Sequence, residues 1–312
     1  MKHASIIVAA GFAFVALLPS TPAAARLFVS PTGNDSNDCS LATPCRNLQA
    51  AVYKSVSGGE ITVLGTAGYS GGVTLVIDRA ISIVNPGAFE AGISPPSTSI
   101  GIVINAGPGD AVSLRGLTID GTGAAQTGIQ FNTGASLTVK DCIIRHVTGF
   151  AIAFLPNATS NLLVSNTLVA DNGDGIMVNP TGSGTVTAIL NRVEMNNNGR
   201  GITLFGLNST GTVKVAVAES VAANSSGGGF LAYSTSGQAL TTLSVFHSVA
   251  ANNGTGIFAN GTGATLRLAQ SQVTGNSAGW TVQNGGVIAS YADNYIDGNG
   301  ANTGSLTPIG KQ

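Results

Sequence analysis

Charge is scarce in this chain: Asp, Glu, Lys and Arg make up 9% of its 312 residues, against roughly a quarter in an ordinary soluble protein. The 13 basic and 14 acidic residues nearly cancel, leaving a formal charge of −1. A chain so balanced carries no electrostatic footprint for nucleic acid or an anionic membrane, and both partners are set aside. With three histidines, three cysteines and one tryptophan, a metal site of clustered thiols and imidazoles has little to draw on. No Asp cluster suited to Ca²⁺ recurs, the Gly-Gly-x-Gly-x-Asp nonapeptide of calcium-binding rolls is absent, and no cofactor is expected. No segment after residue 18 is apolar enough to span a membrane.

What the chain does have begins with a secretory pattern: Lys2, an apolar stretch from Ile6 to Leu18, Pro19, then Ala23-Ala24-Ala25. This predicts a signal peptide over residues 1–25 and a secreted or periplasmic protein. Export permits disulfides, and Cys39 and Cys45, either side of a short loop containing Pro44, are expected to pair. They close a lead-in segment over residues 26–46 that starts with a strand at Leu27-Phe28-Val29. Leu48, Ala51, Val52 and Val56 then fall at helical spacing, with Asn47 as the predicted N-cap and Gly58-Gly59 as the stop.

From Glu60 onward helical periodicity disappears, and short alternating strands are punctuated by Gly, Pro and Asn. Without helical crossovers, parallel strands must come from winding. One phrase, a small residue followed by apolar-x-apolar, returns from positions 128, 151, 175, 201, 229, 256 and 279, as in Gly128-Ile129-Gln130-Phe131 and Gly201-Ile202-Thr203-Leu204. A period in this range marks a solenoid. A second strand column offers the inward pairs Leu137/Val139, Leu162/Val164, Thr187/Ile189, Val215/Val217, Leu243/Val245 and Leu266/Leu268. Next come a polar column (Asp141, Asn166, Asn191, Glu219, His247, Gln270) and a column of small residues (Cys142, Thr167, Ser220, Ser248, Ser271) interrupted by Arg192. Asparagines at 172, 197, 198, 224, 252, 253, 276 and 299 precede the glycines and read as a hydrogen-bonded turn ladder.

The Gly-Ile-x-Val/Phe phrase, the Asn-Gly turn, the alternating Leu-x-Val strand and the helix before the first coil resemble the right-handed parallel β-helix repeat proteins of the pectin-lyase-like superfamily. The resemblance implies an all-β solenoid of about 9–10 coils with a short N-terminal capping helix, forming a domain over residues 47–312. It implies no single function, because that superfamily includes lyases, hydrolases, epimerases, esterases, adhesins and tailspikes.

Phe131, Phe154, Phe230 and Trp280 are expected in the core. Met177, Leu231 and Phe258, with Phe205 and Tyr233 just past their strands, are left for an outward apolar stripe. Titratable residues concentrate between Arg115 and Arg200, where Asp120, His146 and Asp171 are expected in one turn column, with Arg145 alongside and Asp174 next to Arg200. As a catalytic group, Arg145 or Arg200 would bind a substrate carboxylate and His146 would act as general base, or Asp171 and Asp174 would act as acid and base. As a structural group, they are a solvated turn with a surface ion pair. Two functions therefore stand: an exported β-helix that binds polysaccharide or cell-surface glycan, or a polysaccharide lyase, epimerase or hydrolase. Scarce charge favours binding over catalysis.

Overall fold

The computed structural model describes residues 26–87 and 89–310. The expected signal segment, residues 1–25, lies outside the described residues. The chain winds into a parallel solenoid of about nine turns. Each turn contributes one strand to a nine-stranded sheet, from Leu75–Ile77 through Ala278–Gln283, and up to two strands to a long bent sheet of twenty strands. Eight inter-strand steps at ~4.8 Å give the nine-stranded sheet a length of about 38 Å.

The register explains the repeated phrase. Ile129, Ile152, Ile176, Ile202, Phe230, Ile257 and Trp280 stack as successive partners, so all seven copies coincide. Gly101-Ile102-Val103-Ile104 is an eighth, pairing with the coil of Ile129. The first position is small because the next coil crowds it: a Cβ on Gly201 would lie 2.6 Å from the Gly229 carbonyl oxygen. Inside, the Phe131 and Phe154 rings stack at 4.5 Å, and both are fully buried, as is Phe230 at 1% exposure. Trp280, in the last coil, is only partly buried and donates its indole N–H to the Gly304 carbonyl.

The long sheet bends because one residue per coil takes the left-handed conformation between its two limbs. These residues are Asp141, Asn166, Arg192, Glu219, His247 and Gln270, with φ from 45 to 55°. One expected coil is thereby corrected. Leu162 and Val164 pair with Ala188 and Leu190, not with Thr187 and Ile189, and Ile189 is 55% exposed. Arg192 joins the polar bend column in place of Asn191, and Val193 takes the small-residue place beside Thr167. Ile189 and Leu190 are both apolar, so alternation alone allows two registers one residue apart, and these put opposite faces inward. Cys142 sits in the small column, 1% exposed, where burial pushes its thiol up to about 11.

The first coil is covered by the helix Leu48–Lys54, which buries Leu48, Ala51 and Val52. It stops earlier than expected, leaving Val56 exposed. Asn47 makes no side-chain cap; its amide instead donates to Asp35 at 2.6 Å. Lys54 donates to the Asp35 and Asn37 carbonyls, tying the helix to the lead-in segment. The strand Arg26–Val29 pairs in parallel with Gly59–Val63, and Cys39 and Cys45 form the expected disulfide. Among the described residues no helix is long and apolar enough to cross a membrane.

Candidate functional site

Between the second limb of the bent sheet and the nine-stranded sheet each coil makes a tight turn, and the asparagines there divide into two columns. An outer column holds left-handed residues, His146, Asp171, Asn197, Asn224 and Asn252, with φ from 53 to 59°. An inner column holds buried ones. Asn172 accepts from the Val147 N–H, Asn198 from that of Asn172, Asn253 from that of Ser225, Asn276 from that of Asn253, and Asn299 from that of Asn276. The buried asparagines are 2–6% exposed. This is the predicted ladder, with Ser225 as its one break, and it fixes the turn that carries the candidate residues.

On the outer column the early coils replace asparagine by titratable groups. His146 Nδ1 lies 3.1 Å from Asp120 Oδ1, and its Nε2 lies 4.0 Å from Asp171 Oδ2. Arg145 Nε donates to Asp120 Oδ2 at 2.8 Å, and Asn197 donates to Asp171 at 2.7 Å. Asp120 is not in the column expected for it. It pairs with Arg145, one position before the turn, and reaches His146 through its side chain. Burial pulls the Asp120 carboxyl upward as the largest single influence. Hydrogen bonds from the Thr122 N–H, His146 and Arg145 together outweigh it and hold the group below its ordinary value. The ionised carboxylate therefore orients the imidazole with Nδ1 as donor, leaving Nε2 toward Asp171. A shallow open depression of about 520 Å³ is lined by Asp120, Thr122, Gly123, His146, Val147 and Asp171. Thr122 and Gly123 gave no sequence signal; Asn197 stood in the asparagine series but was read only as ladder.

Asp174 and Arg200 are neighbours, as expected, and form a two-point pair: Nε to Oδ1 at 2.9 Å and Nη2 to Oδ2 at 2.7 Å. The Asp174 hydrogen bond raises Arg200 above its ordinary value. This pair begins strands of the nine-stranded sheet, past the buried asparagine of the turn. Among the described residues no hydrogen bond or ion pair joins it to the His146 group. The five residues thus form two sets, Arg145, His146 and Asp171 with Asp120, and Asp174 with Arg200.

The outward apolar positions near Arg200 also differ from expectation. Met177 and Leu231 are buried, at 9% and 3% exposure. Phe205 and Tyr233 end their strands instead of lying beyond them. Their rings stack at 5.1 Å, and Tyr233 packs against Phe258 at 5.0 Å, so these faces are occupied by one another. Burial raises the Tyr233 hydroxyl above its ordinary value. Among the described residues no group of three His, Cys, Asp or Glu is arranged to hold a metal ion.

Known proteins agree with the fold. The family described as the right handed beta helix region matches residues 97–246. A pectate lyase structure superposes with a TM-score of 0.60 at 15% identity, covering 92% of this chain and 80% of its own. The A-module of a mannuronan C-5 epimerase from Azotobacter vinelandii gives 0.50 at 12% identity, covering 85% and 94%. No curated protein matches the sequence. At these identities the likeness concerns fold alone, and the description of the matched region supplies the handedness: the chain folds as a right-handed parallel β-helix.

Proposed function

We propose that this is an exported β-helix protein that binds polysaccharide or cell-surface glycan along its length without transforming it. One observation carries the reading: both arginines of the candidate group are already held by carboxylates, Arg145 by Asp120 and Arg200 by Asp174. An arginine whose charge is already matched by a carboxylate grips and polarises a substrate carboxylate less strongly than a free one. The rigid neutral surface, rich in amides and hydroxyls, suits an extended sugar polymer, and the pectate lyase and mannuronan epimerase neighbours are themselves named for polysaccharides. The disulfide between Cys39 and Cys45 is compatible with export, and the secretory pattern of residues 1–25 supports it. The second reading, a lyase, epimerase or hydrolase, rests on His146 being held between Asp120 and Asp171 in an open depression.

Affinity electrophoresis of the mature protein through gels containing uronans or neutral glycans tests the binding reading. Retarded migration in at least one polymer is expected; unretarded migration in every one sinks it.

A further inference from the structure

The outward face of the first limb of the bent sheet has a composition unlike the rest of the molecule. Along the paired strands from Ala111–Arg115 to Leu306–Pro308, its outward positions include Arg115, Lys140, Lys214 and Arg267 and not one Asp or Glu. The chain as a whole has slightly more acids than bases, so this face is a local excess of positive charge, carried by Lys140, Lys214 and Arg267 because Arg115 is held by Asp141. It also gathers apolar surface: Leu163 is 37% exposed, Ile189 55% and Phe246 43%. Leu163, Ile189, Ala216, Ser244 and Arg267 are successive register partners, so three apolar residues along the axis are followed by a hydroxyl and then a cation.

At the end of that row lies a concavity of about 1030 Å³. Phe246 and Tyr291 flank it, Ser244, Thr265 and Thr307 supply hydroxyls, Arg267 opens into it, and Asp293, whose Oδ1 accepts from the Gln270 N–H, is the one carboxylate of its lining. Ala289, an outward residue beside Arg267, is only 5% exposed, which shows how far the walls rise around the floor. Arg267 is also singular among the arginines. Arg26, Arg79, Arg115, Arg145, Arg192 and Arg200 each hold a carboxylate, and Arg46 donates to the Gly68 carbonyl. Arg267 alone, among the described residues, has neither an ion pair nor a hydrogen bond.

We propose that this face binds an anionic glycan lying along the solenoid axis, with one charged substituent seated against Arg267 in the terminal concavity. Sugar rings present apolar C–H faces to the Leu163–Ile189 row, and their hydroxyls meet the serine and threonine hydroxyls. Lys214, two coils before Arg267 and so about 10 Å from it along the axis, meets a second charge on the same polymer. The guanidinium fork takes a carboxylate or a sulfate through two parallel hydrogen bonds. The inference rests on the polysaccharide-binding reading and adds the ligand's charge and its site, remote from the His146 turn.

The test is titration of the full mature protein by calorimetry with a carboxylated glycan, a sulfated glycan and a neutral glucan of similar length, at low and raised salt. Arg267→Gln and Lys214→Gln are compared with the charge-matched Arg79→Gln, with circular dichroism confirming the fold. An anionic glycan should bind and the neutral one should not. Arg267→Gln should weaken binding roughly ten-fold, the loss of one charge-assisted hydrogen-bonded contact. Salt should weaken it as well, while Arg79→Gln changes little. Which anionic polymer binds more tightly tells whether carboxylate or sulfate is preferred. Binding of the neutral glucan alone, or of an anionic glycan indifferently to both substitutions, overturns the inference while the polysaccharide reading stands. No binding of any glycan overturns both. A dimer in sedimentation that Ile189→Asp breaks would mean a second copy covers the face, and also overturns it.

Discussion

Asn253 is the position at which removing a single amide should cost most. It is 2% exposed, and its side chain makes three hydrogen bonds. Its Nδ2 donates to the Ala222 carbonyl at 2.9 Å and to Asn276 Oδ1 at 3.0 Å, and its Oδ1 accepts from the Ser225 N–H at 3.0 Å. Asn253→Ala leaves the N–H of Ser225, itself 1% exposed, without its acceptor. An orphaned buried donor costs about 1–3 kcal/mol, and the space left by the amide adds a cavity cost, so the expected loss is about 2–4 kcal/mol. Asn224, one position before Ser225 on the outer column, is the control. It is exposed, at φ 56°, and donates one bond to Asn196. Glycine tolerates that backbone without strain, so Asn224→Gly should stay within about 0.5 kcal/mol of wild type. Urea unfolding followed by circular dichroism reads both, with the slope checked for constancy because solenoids lose cooperativity when one coil weakens. Equal midpoints for the two variants would refute the claim that the inner asparagine column holds the turns together.

Leu190→Ala should cost about 2–5 kcal/mol in the same assay and Ile189→Ala about 0.5, because only the former empties core space; reversed costs would restore the register read from the sequence. Cys142, whose thiol burial holds up at about 11, should resist a thiol reagent at pH 8 in the native protein and react in urea. Rapid native reaction would place it at the surface. The Asp120 carboxyl titrates below its ordinary 3.8 in the folded chain, so its ionised form favours folding. That stability is present above about pH 4 and is lost as pH falls through the folded value. Wild type should therefore keep its melting-temperature advantage over Asp120→Asn above about pH 4 and lose it as the pH falls below that. A constant difference would mean that Asp120 is not the titrating group.

The fold was legible wherever a strict steric need repeats. The small residue under the next coil's carbonyl, the apolar residue after it and the buried asparagine before it recur in most coils because the same steric and hydrogen-bonding need returns there. The register was lost where that need was ambiguous, at Thr187-Ile189, since two adjacent apolar residues satisfy the alternation in either phase. Asn47 misled because its side chain had a better partner, Asp35, in a segment whose path no local pattern reveals. At the candidate site, the meeting of Asp174 with Arg200 followed from coil register alone. The separation of that pair from His146 did not, because it depends on which way side chains leave a turn of three or four residues. Arg267 drew no notice for a related reason: its lack of a partner is a property of its neighbours on other coils.

Incubating the protein with uronans and neutral glycans, and reading unsaturated products, reducing ends and uronate epimer ratios beside a His146→Ala control, decides between binding and catalysis. Binding with no product above the control is expected. Turnover that His146→Ala abolishes would contradict it and make the Asp120–His146–Asp171 turn an active site.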